Sequence, residues 1–243
     1  MIIKTVTTFN NNLYNEYAHR FIQTYNWPFE LIVYSEDNVQ NLESIQHNNT
    51  FTLIPQCKEF VERNKNREVP NLNLDTFKYD AVRFCYKVYV YTHEIIKQAK
   101  LGNVDGLICI DADSVFYNPI DVNWMKQHIH RDESMMTYLG RPNYSECGYL
   151  YFNLKHPEVI NYAQAVQDMY NTDSLYNEKE FHDSWIWDVV RVKFENERNV
   201  KNYNIGDDQV GHVQCRSVLG QVYDHTKGPR RKKVGRSGEF KGQ

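Results

Sequence analysis

The stretch Leu107-Ile108-Cys109-Ile110-Asp111-Ala112-Asp113 limits the fold of this chain more than any other. Four apolar residues run directly into two carboxylates at i and i+2. The apolar run reads as a short strand buried on both faces. Side chains at i and i+2 of a strand point the same way. Asp111 and Asp113 are therefore expected to project together from the carboxyl end of a buried strand, where open α/β sheets take their ligands. Two carboxylates held there are repelled apart, protonated or bridged by a cation. Oxygen donors of this kind suit magnesium or manganese, which keep waters and draw the rest of their shell from substrate phosphates. The same triplet also fits a solvated loop start, so the other motifs have to decide.

Before that strand, residues 2–8 read as strand one, 13–25 as a helix and 29–34 as strand two. Residues 51–54 suggest a further short strand and 57–66 a polar helix, followed by an irregular connection from Pro70 to Leu74. A long helical pattern runs from about Asp75 to Lys100, and Gly102 ends it. Its apolar face carries Phe77, Ala81, Phe84, Cys85, Val88, Tyr91 and Ile95. Strand, helix, strand, helix, strand opens a parallel sheet of the nucleotide-binding type. Beyond it, 135–139 and 147–153 read as strands, 157–170 and 184–195 as helices, and 203–224 as short segments turning at Gly206 and Gly220. A chain of 243 residues with no linker is expected to form a single α/β domain.

The charge is uneven. Of 28 basic residues, six lie in 227–236, which holds no acid, and 22 remain against 31 acidic residues elsewhere. An acidic body with a basic tail argues against nucleic acid as a partner. The five cysteines are widely spaced with no Cys-x-x-Cys, which predicts buried thiols, a reducing compartment and no structural zinc site. The amino terminus reads as a strand rather than a signal peptide, and no apolar run is long enough to span a membrane. A cytoplasmic protein is expected.

Several residues outside the acidic triplet suit phosphate and sugar chemistry. Arg83 and Lys87 are i, i+4 on the helix preceding the triplet, which puts two cations on one face opposite a diphosphate. Gly148, inside a strand-like run, suggests close approach of a ligand or another backbone. Glu146 beside it suits sugar hydroxyls, or is an exposed carboxylate at a bulge. Asp183 is either a helix cap or a general base for an acceptor hydroxyl. Of Trp185 and Trp187, one belongs to the core and the other is available to stack on a sugar. His225 is a borderline ligand suited to manganese, and Lys227 suits a phosphate. The tail after them is a flap over a diphosphate, a polyanion patch or a solvated end.

Taken together, these motifs resemble the GT-A glycosyltransferases. The likeness is greatest to the small single-domain enzymes of bacterial viruses, and more distant to the glycogenin-like family. It rests on Arg83-Phe84-Cys85-Tyr86-Lys87, Asp111-Ala112-Asp113, Glu146-Cys147-Gly148-Tyr149 through Phe152-Asn153, and His225-Thr226-Lys227-Gly228, which occur in the family's order. The Pro-Trp that closes the glycogenin-like ending is missing. The resemblance implies a GT-A, Rossmann-like fold: a mixed, mainly parallel sheet flanked by helices in a single domain, 1–243, with 225–243 as a basic carboxyl-terminal flap or tail. It implies a nucleotide-sugar donor, usually UDP-linked and here a UDP-hexose such as UDP-glucose, with Mn2+ or Mg2+. It implies Asp111 and Asp113 near the ribose, metal and diphosphate, and His225 as the third protein ligand. Thr7, Thr8 and Phe9 after strand one, with Tyr34 and Glu36 after strand two, are implied near the nucleobase and ribose.

The expected function is transfer of a sugar to an acceptor hydroxyl of unidentified kind, with Asp183 and Glu146 as the candidate catalytic carboxylates. A nucleotidyltransferase on a related sheet also needs paired carboxylates, but it carries a Gly-rich basic loop after strand one. Phe9-Asn10-Asn11-Asn12 is no such loop. A non-catalytic nucleotide- or polyanion-binding module leaves the buried acidic strand without a purpose.

Overall fold

A computed structural model describes residues 1–37, 39, 42, 46–68 and 76–226. Among these, the strands are β1 (Ile3–Thr8), β2 (Glu30–Ser35), β3 (Gln46–Asn49), β4 (Gly106–Ile110), β5 (Ser114–Phe116), β6 (Ser134–Leu139), β7 (Glu146–Asn153), β8 (Lys201–Asn204) and β9 (Tyr223–His225). The helices are α1 (Asn11–Leu13), α2 (His19–Thr24), α3 (Thr50–Leu53), α4 (Pro55–Asn64), α5 (Ala81–Leu101), α6 (Val122–His128), α7 (Val159–Asn171), α8 (Asp183–Arg198) and α9 (Val213–Arg216). A π-helical turn, Tyr14–Ala18, joins α1 to α2.

Seven strands form one sheet in the order β3-β2-β1-β4-β7-β6-β8. β7 runs against both of its neighbours, and the other pairings are parallel. This is the mixed, mainly parallel sheet expected of the chain. β4 lies at its centre and is buried throughout. Leu107 and Cys109 face one core cluster with α5, α7 and α8, while Ile108 and Ile110 face a second cluster with Phe21, Phe116 and Tyr223. That period of two with apolar cover on both sides is why four apolar residues in a row make a strand here.

α5 is framed by its own ends. The Asp80 carboxylate accepts the Arg83 N–H at 3.1 Å, and Gly102 adopts the left-handed conformation at φ 72°. The helix therefore starts at Ala81, later than the pattern from Asp75 predicted, and Thr76–Tyr79 is a separate 3-10 turn. The strand expected at 51–54 is a helix. Asn49 caps it by accepting the Thr52 N–H at 2.9 Å, Pro55 opens the next helix, and the strand is the polar segment just before. An edge strand needs no apolar pattern to pair, which is why periodicity missed it. The irregular connection read at Pro70–Leu74 lies outside the described residues, as does the tail from Lys227 onward. All five cysteines are buried free thiols. No helix among the described residues is long and apolar enough to cross a membrane.

Candidate functional site

β4 ends at Ile110, so Asp111 and Asp113 stand in the tight turn that leads into β5 rather than on the strand itself. The turn is tied down from two directions. The Asp111 N–H donates to the Gly148 carbonyl at 3.0 Å, extending the β4–β7 ladder by one residue. The N–H and hydroxyl of Thr226 both donate to the Asp113 carbonyl, at 2.8 and 2.7 Å. The second tie belongs to a small antiparallel pairing of β5 with β9, in which Ser114 sits opposite His225. His225 is thereby delivered to the acidic turn from the far end of the chain. Its Nε2 lies 2.8 Å from Asp113 Oδ1 and 3.8 Å from Asp111 Oδ2.

The ligand atoms of Asp111, Asp113 and His225 lie within 4.8 Å of one another. Two carboxylates and one imidazole form a donor set of hard oxygens with one borderline nitrogen, which fits Mn2+ or Mg2+. Gly148 packs against this centre. A Cβ there would run into the His225 ring and come within 3.1 Å of Glu146 Oε1. The close approach that this glycine suggests is the approach of an imidazole.

Lys87 reaches the centre from α5. Its ammonium donates to Asp111 Oδ1 at 2.9 Å and also pairs with the Asp183 carboxylate. Burial acts to lower the Lys87 pKa, but Asp111 and Asp183 outweigh it and hold the ammonium well above its usual range. Lys87 is thus engaged by two carboxylates rather than standing open to a phosphate beside Arg83. Arg83 is exposed and lines the cleft.

Asp183 is the first residue of α8. His182 is the N-cap and makes no side-chain capping bond, so the reading of Asp183 as the cap is corrected. Asp183 is buried, and its carboxylate turns to Lys87 because that cation lies inside the site. Glu146 is buried too, which corrects the exposed-bulge alternative. Its Oε2 lies 3.0 Å from the Arg141 guanidinium, and its Oε1 accepts the Gly148 N–H at 3.0 Å and lies 3.9 Å from His225 Nδ1.

Two clefts open at this cluster. The first, of 380 Å³, is lined by Thr8, Phe9, Asn10, Tyr17, Glu36, Tyr86 and the acidic turn. The second, of 440 Å³, is lined by Phe77, Arg141, Tyr144, Glu146, His182, Asp183 and His225. Arg83, Phe84, Lys87 and Asp111 line both. Thr8, Phe9 and Glu36 line the first cleft. Thr7 and Tyr34 do not. Thr7 is buried in β1, and the Tyr34 hydroxyl is buried against α5, where it donates to Glu94 at 2.8 Å. Successive residues of a strand point to opposite faces, so Thr7 and Thr8 cannot share the cleft.

Asn10, Tyr17, Phe84, Tyr86, Arg141 and Tyr144 were missed. Phe84 and Arg83 share the face of Lys87 on α5, so following that face would have found Phe84. Arg141 and Tyr144 come from a loop, where periodicity gives no signal. Trp187 is core, and Trp185 is half-buried beneath the Lys179 ammonium.

Burial raises the pKa of Asp111 above its usual 3.8, against Lys87 and His225, which lower it, while Asp113 adds to the rise. A carboxyl that binds its proton more tightly when folded costs stability as pH rises through the window above 3.8. Metal-free protein is expected to lose stability relative to Asp111→Asn as pH rises from that value. Denaturant titrations of both proteins across acid to neutral pH check this; a constant difference rejects it.

No known sequence family matches the chain, and no curated protein does. Among solved structures, mouse xyloside xylosyltransferase 1 in its apo form matches over 85% of this chain and 86% of that one, with TM-score 0.50 and 9% identity. A glycosyltransferase involved in glycosylation of the major capsid of PBCV-1 is similar over 96% and 98%, with TM-score 0.49 and 8% identity. The first likeness is one of fold: the chain shares the GT-A-like architecture to which its motifs point.

Proposed function

We propose that this chain is a metal-dependent glycosyltransferase. It moves a sugar from a nucleotide-sugar donor, a UDP-hexose, to an acceptor hydroxyl in a reducing, cytoplasmic setting. One observation carries the reading: a hard-donor cluster of Asp111, Asp113 and His225 stands where two clefts meet. The neighbour named xyloside xylosyltransferase 1 is consistent with it.

In this reading the first cleft takes the nucleotide and the second takes the acceptor. Asp111, Asp113 and His225 hold the cation, which when bound offsets charge on the departing diphosphate. Arg83, exposed at the junction of the clefts, adds fixed positive charge at the same place. Lys87 keeps the Asp111 and Asp183 carboxylates in position between the two clefts. In an inverting transfer the acceptor oxygen attacks the anomeric carbon, the bond from that carbon to the diphosphate breaks, and Asp183 or Glu146 takes the acceptor proton. Asp183 is the stronger candidate because Lys87 engages it through Oδ2, whereas Arg141 and the Gly148 N–H engage both oxygens of Glu146.

The test is a screen of nucleotide sugars with Mn2+, read as release of nucleoside diphosphate. UDP and Mn2+ together are expected to raise the melting temperature more than either alone, because each supplies ligands that the other needs and binding stabilises the folded state. Equal shifts from UDP with and without metal would remove the bridging cation from the mechanism.

Asp183→Asn is expected to keep the fold, since Lys87 retains Asp111 as its partner. It is expected to lower transfer by roughly two to four orders of magnitude, the span for loss of a general base. Initial rates and the product anomer, assigned by NMR, check this together. A mild loss with an inverted product transfers the role to Glu146.

A further inference from the structure

Beside the acidic turn lies a second group of metal-binding side chains that the proposed transfer does not use. His212 is the N-cap of α9, Cys215 lies in α9, and Asp224 is the middle residue of β9. All three are buried. Cys215 Sγ lies 3.2 Å from His212 Nδ1 and 3.4 Å from Asp224 Oδ1, and the three ligand atoms fall within 4.8 Å of one another. We propose that His212, Cys215 and Asp224 form a structural site for a zinc-like divalent ion, distinct from the catalytic cation.

Three arguments support it. The first is geometry. With metal–sulfur bonds of about 2.3 Å and metal–nitrogen bonds of about 2.0–2.1 Å, neighbouring donors of a tetrahedral site lie roughly 3.5 Å apart. The two separations from Cys215 Sγ already approximate that spacing, so binding needs little rearrangement. The second is donor chemistry. A thiolate, an imidazole and a carboxylate are ligands that zinc accepts, whereas the sulfur sets this group apart from the Asp111, Asp113 and His225 set. The third is charge. A thiolate and a carboxylate neutralise a divalent ion, so the occupied site carries no net charge into a buried place.

The ion has a definite structural effect. α9 and β9 meet through Gln214, whose amide donates to the Tyr223 carbonyl at 2.8 Å. A metal held by His212, Cys215 and Asp224 clamps the same two elements a second time. β9 carries His225, and the His212 and His225 rings are 5.9 Å apart. The clamp therefore fixes the segment that presents His225 to the acidic turn. Sequence spacing hid this site. The ligands follow a His-x-x-Cys step and then an eight-residue gap, with no Cys-x-x-Cys to mark it, and the expectation of no structural zinc site rested on that spacing.

Cobalt reports on the site without any need for activity. The full chain is stripped with chelator, desalted and titrated with Co2+ in the absence of nucleotide. One equivalent is expected to produce the near-ultraviolet thiolate-to-cobalt charge-transfer band, and one equivalent of Zn2+ to bleach it. Cys215→Ser is expected to abolish the band, and Asp113→Asn to retain it, which separates this site from the sulfur-free catalytic one. Should Cys215→Ser fail to fold by circular dichroism, His212→Ala serves instead, with an expected loss of at least roughly tenfold in Co2+ affinity. A wild-type chain with no band, a band unchanged in folded Cys215→Ser, or an unchanged affinity in His212→Ala overturns the proposal.

Discussion

Asp113→Asn is expected to lower metal-dependent turnover by about 10³-fold or more. Stabilisation of a departing group by a bound cation amounts to several kcal/mol, and each 1.4 kcal/mol or so is tenfold in rate. The substitution keeps the shape of the side chain and removes one negative charge from a site that has two carboxylates. Asp113 is nearly inaccessible and sits 2.8 Å from the His225 imidazole, so no neighbouring surface carboxylate can substitute for it. The metal-free protein is expected to melt close to the wild type, because the backbone ties from Thr226 to the Asp113 carbonyl do not involve the carboxylate. Rates of UDP release across a Mn2+ titration, with melting curves beside them, check both halves. Full turnover with unchanged Mn2+ dependence would overturn the assignment of this cluster.

Lys87→Met is expected to cost about 3–5 kcal/mol of stability, the range for removing one partner of a buried ion pair. The cost comes from what stays behind. Asp111 and Asp183 both lean on this ammonium, and neither has an exposed side chain. Methionine fills the length of the lysine stem, so lost packing contributes little. Adding Asp183→Asn to Lys87→Met is expected to recover part of the loss, because one of the two stranded charges is then gone. Urea midpoints for the wild type, the two single variants and the double variant check this. A loss below about 1 kcal/mol for Lys87→Met would mean that the contact behaves as a surface pair.

Much of the fold was legible because its signals are local. The apolar run before Asp111 makes a buried central strand whose residues alternate between two cores. Gly102 ends α5 through a backbone angle of its own, whereas the start capped by Asp80 lies later than the pattern from Asp75 predicted. The errors are local as well. Residues 51–54 looked like a strand because they are apolar, and the pairing strand was the polar segment before them. Asp183 looked like a cap because acids favour helix starts, but a buried lysine on another helix draws its carboxylate.

By itself the sequence determined the α/β class, the central strand and the types of side chain at the site: the acidic turn, the cations of α5, the glycine of β7 and a late histidine. Tertiary structure decided their partners. Lys87 went to Asp111 and Asp183, Gly148 made room for the His225 ring, and Tyr34 went to the core instead of the cleft. It also brought His212, Cys215 and Asp224 together. The physical reason is range. Periodicity and capping depend on neighbours a few residues away. The meeting of the acidic turn with His225 depends on β9 returning across nearly half of the chain to pair with β5, and nothing in the local pattern of either segment encodes that register.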